Sequence, residues 1–170
     1  MGFDMSLIDF EAERHSNPVD TIERIAGHRD WLFDRSGENE ITISIKAGLA
    51  EYHVSFAWME DMEAVHLSCA FDLKVSESRK LEVMRLLSLV NEQMWIGHFD
   101  LWSQEALVMF RQTLLLAGGA EPTEQQIEGL LSSAIDACER YYQAFQFVVW
   151  AGKSAGEALD TVLFETEGEA

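Results

Sequence analysis

The residues with most chemical reach in this sequence are three histidines. If Val54, Phe56 and Trp58 face a core, His53 points to the opposite side of its strand. The same alternation sets His66 against Leu67 and Cys69, and His98 against Phe99 and Leu101. His53, His66 and His98 on one outer sheet face, with Asp100 nearby, are candidate ligands of the kind that hold zinc. A register slip of one residue would send any of them to the other face. Arg111 stands alone in an apolar run. Its expected role is to pack its stem and pair its head with an acid such as Asp100, with an anionic ligand as the alternative.

Nothing else in the chain offers a reaction. Gly118-Gly119 lacks the lysine of a phosphate loop and the third glycine of a dinucleotide fingerprint. No GxSxG, HExxH, cysteine–histidine metal spacing or calcium loop is present. Cys69 and Cys138 both fall on apolar stripes and read as small core residues. The expectation is a protein that is not an enzyme and has no cofactor.

Two surfaces are less polar than free solvation requires. Outward strand positions include Ala57, Ala70, Trp102, Met109 and Leu115, and the second helix carries Val83, Leu86 and Leu89 off its main stripe. Trp102, Met109, Ala57 and Arg111 are therefore candidate contacts for a protein partner, and Val83, Leu86 and Leu89 for a homodimer. The competing reading is that a terminal segment of the same chain covers these residues.

Charge narrows the partner. Twelve basic against 30 acidic residues give a formal charge of −18 and a pI near 4.4. A field of that sign repels phosphate backbones and anionic lipid, so neither nucleic acid nor membrane is expected. It suits basic or partly unfolded protein partners. The acidic amino terminus does not read as a signal peptide, no run approaches ~20 apolar residues, and a cytoplasmic location is expected.

The elements that must position these residues follow from periodicity. Residues 1–15 read as a loosely held acidic arm, 16–152 as a single domain, and 153–170 as a short helical, acidic tail. Asn17-Pro18 opens a helix that Gly27 stops. Three strands follow, carrying Ile41-Ile43-Ile45, Val54-Phe56-Trp58 and Val65-Leu67-Cys69-Phe71. Ser76 is the expected cap of a second helix reaching about Met94, with Leu81, Met84, Leu87 (or Leu86), Val90 and Met94 on its apolar side. Two more strands run over 97–102 and 106–116. Thr123 and Gln126 then form a capping box for a long helix to Ala151. The fold class is α+β: a five-stranded antiparallel sheet with three main helices in the order α-βββ-α-ββ-α.

Within this pattern, Asn91-Glu92-Gln93-Met94, Gly97-His98-Phe99-Asp100-Leu101 and Arg111, together with Asn17-Pro18, resemble the YbjN family of bacterial proteins. The resemblance spans about residues 16–150. It implies a fold like that of type III secretion chaperones, with five strands and three helices, in a family described as sensory transduction regulators. Such chaperones are small, acidic, cytoplasmic homodimers that hold partly unfolded effectors. The resemblance brings no catalytic residues. The function it favours is a chaperone-like or regulatory protein-binding module; the alternative is a small-ligand or metal-binding regulator using the outer sheet face.

Overall fold

The computed structural model describes Arg14 and residues 16–168, so the arm expected over 1–15 lies, except for Arg14, outside the described residues. Helix α1 (Pro18–His28) begins as its residues dictate: the Asn17 side chain accepts from the Val19 N–H at 2.9 Å, with proline at the first helical position. Its face of Val19, Ile22, Ile25 and Ala26 is buried.

Four strands follow: β1 (Leu32–Gly37), β2 (Glu40–Lys46), β3 (Glu51–Met59) and β4 (Ala64–Lys74). After α2 (Lys80–Glu92) come β5 (His98–Trp102) and β6 (Leu107–Leu115), then α3 (Glu124–Val149) and α4 (Ala155–Gly168). The strands form one antiparallel sheet in the order β1-β2-β3-β4-β6-β5.

The sheet is α+β and antiparallel as expected, but it has six strands rather than five. The additional one is β1, an edge strand whose burial alternates weakly and whose Leu32 is largely exposed, so it gives little periodic signal. Arg35 secures it. Its guanidinium donates to the carbonyls of Gly37 and Glu38 in the β1–β2 turn and pairs with Asp20 at 2.8 Å and Glu23 at 2.7 Å on α1.

One face of the sheet is the core face. Val54, Phe56, Trp58, Val65, Leu67, Cys69 and Phe71 all point into it, as their alternation predicts. Helix α3 lies on this face against β3, β4 and β6, starting at a capping box in which Thr123 Oγ1 accepts from the Gln126 N–H and Gln126 Oε1 accepts from the Thr123 N–H. Its 26 residues span about 39 Å, enough to cross most of the sheet. Midway along it, Glu139 accepts from the Leu49 N–H at 3.1 Å and from the Tyr52 hydroxyl at 3.0 Å, tying the β2–β3 turn to the helix.

The carboxy-terminal segment is a 14-residue helix, α4, with Ala155, Ala158, Leu159 and Val162 in the core against α2 and α3. Two side chains at the start of α2 fix its approach. Arg79 donates to the carbonyls of Val148 at 2.8 Å and Lys153 at 2.7 Å, and Glu82 accepts from the Ala155 N–H at 2.7 Å. Ser76 does not cap α2; its hydroxyl pairs with that of Ser78 and a short 3-10 turn precedes Lys80. Among the described residues, no helix is long and apolar enough to cross a membrane.

Candidate functional site

The outer face of the sheet gathers the polar residues singled out above around Arg111. Strand β6 lies between β4 and β5, so register alone sets Arg111 beside Ser68 on one side and His98 on the other. The Arg111 guanidinium donates from Nη1 to Asp100 Oδ2 at 3.1 Å and from Nε to His66 Nε2 at 3.1 Å. The expected Arg111–Asp100 pair is thus present. Accepting at Nε2 requires that nitrogen to be unprotonated, so His66 is held neutral. Burial, then the charges of Arg111 and His98, lower its pKa from the ordinary histidine value.

This arrangement does not assemble the three histidines. The Nε2 of His66 is occupied by a cation, the worst neighbour for a metal ion. His53 lies four residues before Ala57, the β4-facing partner of His66, which places it roughly 13 Å along the strand. It bonds Ser44 Oγ at 2.8 Å instead. Among the described residues, no group of three or more His, Cys, Asp or Glu side chains is placed to hold a metal ion.

The apolar candidates divide sharply. Val83 and Leu86 are not surface residues: both are fully buried in the core, on the inner side of α2. Met109 is also buried, at 7% exposure, despite its outward register position. Of the side expected to be core, Leu81 at 70% and Met84 at 51% are exposed, whereas Val90 is fully buried and Leu87 and Met94 pack against the core. The α2 sequence holds two apolar stripes, and periodicity does not say which one another helix will cover. Leu89 and Ala57 are half-buried, and Trp102 is exposed beside a shallow cavity of about 310 Å³ at Leu101–Gln104.

Sequence reasoning missed two residues here. Trp95 is wholly exposed and Ile96 more than half exposed, both in the short turn from α2 to β5. Their signal was available as an unusual Trp-Ile pair in a turn, where polar residues normally stand. With Leu81 and Met84 near the start of α2, they place exposed apolar side chains at both ends of that helix.

The edge strand beside it is closed. Asn91 at the end of α2 accepts from the Phe99 N–H at 2.8 Å and donates to its carbonyl at 2.9 Å, while Asp100 Oδ1 accepts from the Leu101 N–H at 3.0 Å. The Phe99 N–H and carbonyl and the Leu101 N–H of β5 are therefore used internally, which hinders pairing of another strand at this edge. The two cysteines are free and buried, and a hydrogen bond with Cys69, then burial, pushes the Cys138 thiol up, which disfavours its thiolate.

Comparison with known proteins bears on this arrangement. The family model YbjN, described as "Putative bacterial sensory transduction regulator", matches residues 18–147. No curated protein matches the chain. Among solved structures, the chain is similar to YbjN of E. coli, titled a "putative transcription regulator": 12% identity, 70% of this chain and 84% of that one covered, TM-score 0.52. The structure of the ExsC-ExsE complex aligns at 18% identity, covering 72% and 91%, with TM-score 0.49. That of the HopA1-SchA chaperone-effector complex aligns at 14% identity, covering 81% and 99%, with TM-score 0.41.

Proposed function

The chain belongs to the YbjN family, and from that premise we propose that it is a non-enzymatic, protein-binding regulator that works as a homodimer. The observation that carries this reading is the set of large exposed apolar side chains on and just beyond α2: Leu81 and Met84 near its start, Trp95 and Ile96 past its end. Four side chains of this size on a protein of charge −18 are costly to leave in water and are natural contacts for a second protein surface. Because Asn91 and Asp100 occupy the β5 edge, association proceeds through side chains rather than through an added strand. Leu89, half-buried on α2, borders this surface.

A second protein is engaged on the outer sheet face, where Trp102 and Ala57 supply apolar contact and Arg111 a charge. The acidic field favours a basic or partly unfolded segment.

Sedimentation velocity over a wide concentration range tests the dimer. A species of twice the chain mass, converted to monomer by Met84→Glu with Trp95→Glu, is the expected result. A wild-type monomer at high micromolar concentration would remove the homodimer. Capture from native cytoplasm with wild type and with Trp102→Ser tests the second contact: a protein held by the first and lost by the second supports it, and identical captures refute it.

A further inference from the structure

The sheet is split. The β3–β4 ladder runs from Met59↔Ala64 to Val54↔Cys69 and stops there, although β3 continues back to Glu51 and β4 on to Lys74. Over the same stretch β4 departs from regular pairing with β6 between Ala70 and Lys74, while β3 stays paired with β2 as far as Lys46↔Glu51. The two halves of the sheet therefore diverge below Val54, and a slot of about 630 Å³ opens between them. That volume lies within the ~300–1,000 Å³ of small-molecule sites.

The lining of the slot has two levels. Its floor is formed by Tyr52 on β3 and Phe71 on β4, both almost wholly covered by the core, and by the half-buried Tyr142 of α3, whose ring packs 4.8 Å from that of Phe71. At the mouth, on the outer face, stand the exposed carboxylates of Glu51 and Asp72, one from each diverging strand. Neither has a hydrogen-bond or ion-pair partner among the described residues. Lys46 is aligned with Glu51 on β2, yet the two form no ion pair. An aromatic floor below two unpaired negative charges fits a ligand with an apolar body and a cationic head.

We propose that this slot binds an amphipathic organic amine, its apolar body over the floor of Tyr142, Tyr52 and Phe71 and its ammonium between Glu51 and Asp72. The ammonium is supplied by a free arylalkylamine or by the amino-terminal residue of a peptide with an apolar first side chain. The site is distinct from the α2 surface and does not depend on the protein-binding reading.

Titration with 2-phenylethylamine, followed by amide chemical shifts and by melting temperature, tests the site. The charge-reversed control is 3-phenylpropanoate, and a second arm uses Phe-Gly-Gly with a free or an acetylated amino terminus. Expected are saturable shifts confined to residues 51–55, 68–72 and 142 with at least one amine, none with the carboxylate or the acetylated peptide, and at least tenfold weaker binding in Glu51→Gln with Asp72→Asn. Both replaced side chains are exposed, so the variant keeps the fold. Binding by the free amine alone, or by the peptide alone, identifies the source. No saturable shifts with either amine at millimolar concentration, equal binding of amine and carboxylate, or an unaffected double variant would each overturn the proposal.

Discussion

Replacing Leu86 and Leu81 separately by alanine asks directly which side of α2 is buried. The two side chains are identical and lie five positions apart on one helix, but Leu86 is fully buried and Leu81 is 70% exposed. Leu86→Ala removes buried methyl groups from the core beneath α2 and leaves a space that close-packed neighbours fill only in part, a loss of about 3 kcal/mol. For a chain of this length that is a fall in Tm of about 6–12 °C. With a urea slope of about 2 kcal/mol/M it is a midpoint shift of about 1.5 M. Leu81→Ala changes stability by under ~0.5 kcal/mol. Urea unfolding followed by tryptophan fluorescence and far-UV circular dichroism measures both. Protein concentration adds a second discriminator: the Leu86 effect is constant on dilution, whereas any Leu81 effect through a dimer shrinks as the protein dissociates. Equal losses for the two variants, or a neutral Leu86→Ala, would refute the burial of this face of α2.

Four further outcomes follow from single contacts. Asn91→Ala leaves the Phe99 N–H and carbonyl without partners beside a buried ring and costs about 2 kcal/mol, read by urea unfolding, with faster amide exchange at Phe99. Gly97→Ala costs about 3 kcal/mol by thermal unfolding, because Gly97 has φ +70° and a Cβ there would overlap the Phe110 ring and lie 2.9 Å from the Arg111 carbonyl oxygen. Glu139→Gln removes the charged acceptor of the Leu49 N–H and Tyr52 hydroxyl, for about 1 kcal/mol and faster exchange at Leu49. His66 has a folded-state pKa below its unfolded value, so the unfolded chain binds the proton more readily. Its contribution is complete above the unfolded value near 6.5 and is lost as pH falls from there through the lowered folded value. Melting temperatures of wild type and His66→Asn, compared as pH falls from 8 to 5, should converge toward the acid end.

Much of the fold was legible because its signals are local. Asn17-Pro18 and the Thr123–Gln126 box work through hydrogen bonds within one turn, and both act as their spacing predicts. The alternation from Val54 to Phe71 fixes the core face without reference to any distant residue, because side chains on a strand have period two. The Arg111–Asp100 pair was legible for a related reason: a lone arginine on a half-buried strand must find an acid within reach. Edge strand β1 was less so, since only Phe33 of its apolar residues packs against the core and Leu32 faces water.

The candidate site depended on contacts between distant segments. His53, His66 and His98 share an outer face by alternation, but their separation is a matter of register along different strands. Helix α2 offered two apolar stripes, and α4, more than sixty residues away, decides between them through Leu159, Val162 and the Arg79 and Glu82 tethers. The slot beneath Val54 exists because two strands stop pairing partway along, which no single strand's composition records. Capping and alternation are short-range physics that the sequence alone determined; which stripe is covered and where strands part are choices among competing burials, and only the tertiary structure decided them.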